Sequence, residues 1–101
     1  MTTGNNELIL PSDKVLKHVA KLAIEQDKPI MMDYWMDSYG DSPSVLIGVR
    51  NNETEEKLLV RSNEEYTSPI SKIFKVNQEY IIVTENSIYV VSTQIPTKRI
   101  S

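Results

Sequence analysis

Hydrophobic spacing along the chain changes character once. In the stretch PSDKVLKHVAKLAIEQDKP, the residues Val15, Leu16, Val19, Ala20, Leu22 and Ala23 fall within one broad stripe at about 100° per residue. Lys14, Lys17, His18, Lys21 and Glu25 fill the opposite side. This spacing predicts an amphipathic helix over 12–27. Ser12 or Asp13 is placed to cap it after Pro11, and Pro29 biases Lys28 out of the helical region and ends it.

Beyond Pro29 the pattern is that of strands. IMMDYWM (30–36) alternates, with Ile30, Met32, Tyr34 and Met36 on one face and Met31, Asp33 and Trp35 on the other. VLIGVR (45–50), KLLVR (57–61) and ISKIFKV (70–76) read as further strands, with Gly48 permitting a bulge or a close approach. DSYGDSPS, NNETEE, SNEEYTSP and NQE connect them. Short connections favour antiparallel neighbours, so the expected fold is α+β: one N-terminal amphipathic helix followed by an antiparallel β-meander of about five to six strands, as a curved sheet or small open barrel. Residues 1–10 read as an arm, 11–96 as a single domain and 97–101 as a tail after Pro96.

The last hairpin, YIIVTENSIYVV (80–91), is apolar on both sides. A two-residue turn at Glu85-Asn86 pairs Val83 with Ile88, Ile82 with Tyr89, Ile81 with Val90 and Tyr80 with Val91. Glu is unusual in a primed turn, which leaves a longer loop open. Ile81, Val83, Ile88 and Val90 then share one face, and Tyr80, Ile82, Tyr89 and Val91 the other. One face meets the helix. The other is covered by another strand of a barrel or sandwich, by a terminal segment, or by a second copy of the chain across a twofold axis. The reading favours the second copy, because an apolar patch of this size is seldom left bare.

Composition narrows the chemistry. The 101 residues contain no cysteine, which removes disulfides, thiolate metal sites and a cysteine nucleophile. A net charge of −3 runs against broad phosphate-driven binding of nucleic acid. No apolar run reaches the length of a membrane span, and no leader pattern opens the chain, so the expected setting is the cytoplasm, or the interior of a host cell. Isoleucine, lysine and asparagine number 11, 8 and 7 against two alanines, which points to an AT-rich genome such as that of a phage, a large DNA virus or a low-GC bacterium.

Three constellations carry candidate chemistry. DYWMDSYGD mixes aromatic residues with Asp33, Asp37 and Asp41, a mixture that suits a contact surface better than catalysis. Asp41 with Glu55-x-Lys57 has the outline of a Mg²⁺-dependent nuclease site, in which two acids hold the metal and the lysine steadies hydroxide. It lacks a Pro-Asp pair and a following helix. Lys14, Lys17, Lys21 and Lys28, joined by Lys72 and Lys75, form a basic stripe that would suit an acidic protein or an RNA backbone. His18, the single imidazole, reads as solvated. The expectation is therefore a non-enzymatic protein-interaction or accessory protein of viral or phage type. It needs no cofactor and forms a homodimer, with contacts at Tyr34, Trp35, Tyr80, Ile82, Tyr89 and Val91. A nuclease and a nucleic-acid adaptor are the alternatives.

Overall fold

The structure is a computed structural model and describes residues 9–50, 53–62 and 64–100. Helix α1 (Asp13–Gln26) begins where the spacing predicts. Ser12 is its N-cap, with Oγ accepting from the Val15 N–H at 3.2 Å. Asp27 ends it in the left-handed region at φ 54°, and its N–H and that of Lys28 both turn back to the Ala23 carbonyl. Val15 and Val19 are the buried residues of the stripe, whereas Ala20 lies exposed on its flank.

The strands are β1 (Ile30–Met31), β2 (Leu46–Val49), β3 (Lys57–Ser62), β4 (Glu65–Tyr66), β5 (Ile70–Val76), β6 (Glu79–Thr84), β7 (Ile88–Ser92) and β8 (Thr97–Arg99). A short helix, α2 (Trp35–Ser38), follows β1. The strands do not form one meander or a closed barrel. They make two open four-stranded sheets, ordered β1-β7-β6-β5 and β4-β3-β2-β8. Each is mixed, because β1 runs parallel to β7 and β8 parallel to β2. Both parallel pairings join segments far apart in sequence, which a reading built on neighbouring strands does not reach. The expected tail supplies β8, with Ile47, Gly48 and Val49 opposite Thr97, Lys98 and Arg99.

The hairpin has the predicted register, Val83 opposite Ile88 through Tyr80 opposite Val91. Its turn is two residues long, closed by the Thr84 N–H donating to the Ser87 carbonyl at 2.9 Å. It is not a primed turn, since the non-glycine residues with positive φ among the described residues are Asp27, Glu55 and Asn77. Instead Thr84 Oγ1 accepts from the N–H groups of Asn86 and Ser87 and organises the reversal from its side chain.

The two faces of the hairpin enter two cores. Ile81, Val83, Ile88 and Val90 pack with Val15, Val19 and Trp35, so this is the face that meets α1. Ile82 and Val91 pack with Tyr34, Val45, Ile47, Leu59 and Ile95, with Tyr80 and Tyr89 at the margin. The molecule is thus three layers deep: helix, first sheet, second sheet. A central sheet buried on both sides must be apolar on both sides, which accounts for the composition of the hairpin.

Strand 30–36 is shorter than predicted. β1 stops at Met31, and the chain lifts from the sheet into α2, where Ser38 Oγ accepts from the Ser92 N–H at 2.9 Å. α2 thereby supplies to β7 the acceptor that a longer β1 would have offered. Trp35 Nε1 donates to the Ile9 carbonyl at 2.6 Å, fixing the segment before α1. No helix among the described residues is long and apolar enough to cross a membrane.

Candidate interaction surface

Each sheet has two edges, and three of the four end strands are two or three residues long: β1, β4 and β8. The fourth, β5, spans seven residues and presents Ser71 through Lys75 as exposed side chains. Among the described residues β5 pairs with β6 alone.

Hydrogen-bond alternation shows which groups of β5 remain open. Because the Thr84 N–H bonds to Ser87 across the hairpin turn, the even-numbered residues of β6 point their backbone groups at β7 and the odd-numbered ones at β5. Val83, Ile81 and Glu79 face Lys72, Phe74 and Val76, so these three residues of β5 spend their backbone groups on β6. Ile73 and Lys75 therefore turn their N–H and C=O groups to the outer edge. A register shift between Ile70 and Lys72 leaves Ser71 out of the ladder, and its hydroxyl donates to the Val83 carbonyl at 3.0 Å.

Side chains alternate across the same strand. Phe74 and Val76 share the α1 side of the sheet with Ile81, as does Lys72 with Val83. α1 packs over β6, β7 and β1, and a gap opens between it and the outer part of β5. The gap is a groove of about 550 Å³ with Leu22, Phe74, Val76 and Ile81 at its base and Lys14, His18, Lys21, Glu25 and Lys75 at its rim. Phe74 and Ile73, on opposite faces, are each 38 % exposed. Lys14, Lys21 and Lys75 thus collect around this groove in a chain whose net charge is −3, and none of Lys14, Lys17, Lys21, Lys72 and Lys75 forms an ion pair among the described residues. Lys28 leaves the expected stripe, donating instead to the Thr84 carbonyl at 2.7 Å.

The expected contact residues lie elsewhere. Tyr34 and Trp35 are 4 % exposed, Ile82 and Val91 are fully buried, and Tyr80 and Tyr89 are half-buried beside the second sheet. The second sheet covers the tyrosine face from within the chain. Tyr34 meets Tyr89 with ring centroids 5.2 Å apart, and the Arg61 guanidinium lies 5.3 Å from the Tyr34 ring centre. Burial raises the Tyr34 hydroxyl above its ordinary pKa, and the neighbouring Tyr89 adds to the shift; burial raises Tyr89 as well. Arg61 bridges Asp37 at 2.7 Å and Glu65 at 3.3 Å, so Asp37 serves a connection between α2 and the second sheet.

The residues of the nuclease outline lie in three settings. Glu55 pairs with Arg99 at 3.3 Å, Lys57 opens β3, and Asp41 lies exposed in the loop after α2. Among the described residues no group of three or more acidic or imidazole side chains stands close enough to hold a metal ion. Comparison with known proteins returns no matching family model, no matching curated protein and no matching solved structure.

Proposed function

We propose that this chain is a non-enzymatic protein-interaction module and that it binds its partner by strand addition along β5. One observation carries the reading: a seven-residue edge strand whose Ile73 and Lys75 backbone groups face outward beside an open groove. A row of open N–H and C=O groups is a template for another extended chain. The other edges are too short to offer one.

Ile73→Pro tests this reading. Proline there removes an outward N–H and leaves the bonds between β5 and β6 in place, because Phe74 and Lys72 carry those. Peptides selected from a random displayed library on the wild-type chain should lose binding to Ile73→Pro while the melting temperature of the variant stays close to that of the wild type. If no selected peptide distinguishes the two proteins, strand addition at β5 is wrong.

A further inference from the structure

The four central residues of β5 are Lys72, Ile73, Phe74 and Lys75, and they give the open edge a definite preference. Strand pairing places Lys72 and Phe74 on the α1 side and Ile73 and Lys75 on the other, so each face presents one ammonium and one apolar side chain to whatever lies alongside. We infer that the β5 edge takes an acidic extended segment of a different protein, in which two adjacent apolar residues are flanked by carboxylates. This inference rests on strand addition at β5.

The pattern follows from cross-strand pairing. A carboxylate opposite Lys72 and another opposite Lys75 form the favourable charge pairs, while the apolar residues between them meet Ile73 and Phe74. The order acid, apolar, apolar, acid reads the same in both directions, so parallel and antiparallel docking both satisfy it. The groove extends the match. Lys14 and Lys21 stand at its rim over Phe74, Val76 and Leu22, while Glu25 is the one acidic residue there. Acidic residues flanking the four-residue core on the α1 side would therefore meet further positive charge.

A second copy fits less well. In the two antiparallel registers that bring the outward-facing groups together, Ile73 opposite Ile73 or Ile73 opposite Lys75, the lysines meet Phe74 and Ser71 or Val76 and Ile73, so a second copy gives neither ammonium a carboxylate. Lysine on an edge strand is also a common device against indiscriminate pairing, and here it filters for the opposite charge. Nucleic acid is attracted by the same lysines, but it makes no use of the open backbone groups of Ile73 and Lys75 or of the apolar base of the groove.

The test uses the full chain and a displayed library of random twelve-residue peptides. Selected peptides should carry two carboxylates spaced three residues apart around an apolar pair, and should lose binding to Ile73→Pro. The best of them, synthesised, should bind Lys72→Gln/Lys75→Gln about tenfold more weakly than wild type, since two cross-strand charge pairs are lost. Its affinity should also fall as salt is raised, and selection on Lys72→Glu/Lys75→Glu should turn to basic peptides. All these substitutions lie at exposed positions, and unchanged melting temperatures show that the fold is kept.

Neutral or basic winners that still depend on Ile73 would overturn the charge inference and leave strand addition standing. Winners indifferent to Ile73→Pro, or none, would overturn strand addition itself. A dimer in sedimentation that Ile73→Pro dissolves would make the occupant a second copy. Tight binding of mixed-sequence single-stranded RNA, lost in Lys72→Glu/Lys75→Glu but kept in Ile73→Pro, would make it nucleic acid. Either of these last two results would overturn the acidic-segment inference.

Discussion

Glu79 and Ser12, 67 residues apart in sequence, are joined twice. Glu79 Oε2 accepts from the Ser12 N–H and Oε1 accepts from the Ser12 hydroxyl, both at 3.1 Å. Ser12 at the same time caps α1 through Val15. One buried carboxylate, 9 % exposed at the start of β6, therefore anchors the helix N-terminus to the central sheet. A negative charge is favoured there by the open N–H groups of the first turn.

Removing that charge weakens the joint between helix and sheet. Glu79→Gln keeps the shape and one acceptor but removes the charge, and its amide nitrogen can meet the Ser12 hydroxyl only as a donor. The expected destabilisation is about 1–2 kcal/mol, with Glu79→Ala costing more. Urea denaturation followed by circular dichroism measures both, and equal stability of Glu79→Gln and wild type would contradict the anchoring role.

Ser38 makes a second buried connection. Its hydroxyl donates to the Trp35 carbonyl at 2.6 Å and accepts from the Ser92 N–H at 2.9 Å, in a site with no solvent exposure. Ser38→Ala leaves the Ser92 N–H without its acceptor, and the expected loss is about 1–3 kcal/mol. Ser38→Thr keeps the hydroxyl, so the difference between the two variants separates the hydrogen bond from crowding by a methyl group.

The hairpin and α1 were legible because their determinants are local. Helical spacing, a capping serine and a proline stop define α1, and turn length defines the register of β6 and β7. The second sheet was not legible, although its β2 and β3 strands were, because nothing in VLIGVR or KLLVR states that Ile47 and Leu59 face the back of the hairpin. α2 was hidden for a related reason. Alternation over 30–36 fits a strand, and only the acceptor that Ser92 requires shows why the chain leaves the sheet. The candidate surface was half visible: Lys72 and Lys75 stood out as charges, but the neighbourhood of Lys75 with Lys14 and Lys21 depends on how α1 lies across the sheet.

Tyrosine ionisation gives the fold an alkaline limit. Tyr34 and Tyr89 have raised pKa values in the folded chain, chiefly from burial. The unfolded chain therefore releases these protons first, from about pH 10 upward, and binds fewer protons than the folded chain. Stability contributed by the neutral hydroxyls is complete below that pH and declines as pH rises through the folded values. Denaturation midpoints measured from pH 8 to 11 should fall at the upper end. Tyr34→Phe and Tyr89→Phe should flatten the decline, and an unchanged slope in the double variant would refute the assignment.

Gly48 lies where β2, β3 and β8 meet. A Cβ built on it would stand 2.7 Å from Ile100 Cδ1 and 2.9 Å from Val60 Cγ2. Ile100 is 42 % exposed and its far end can swing aside, whereas the short branched Val60 cannot. Gly48→Ala should therefore destabilise the chain by about 1 kcal/mol or more through crowding. Pairing it with Val60→Ala should cost less than the sum of the two single substitutions, and a strictly additive double-mutant cycle would place the strain elsewhere.

Amide exchange reads the β5 edge directly. Lys72, Phe74 and Val76 face β6 with their N–H groups, while those of Ile73 and Lys75 face outward. In the unliganded chain, hydrogen exchange followed by NMR should show alternating protection along β5: slow at Phe74 and Val76, fast at Ile73 and Lys75. A bound extended segment should slow Ile73 and Lys75 selectively, because it supplies their missing acceptors. A ligand held only by the lysine side chains would leave both amides fast. Slow exchange at Ile73 and Lys75 in the free monomer would mean that the edge is already paired, and strand addition would have no place to occur.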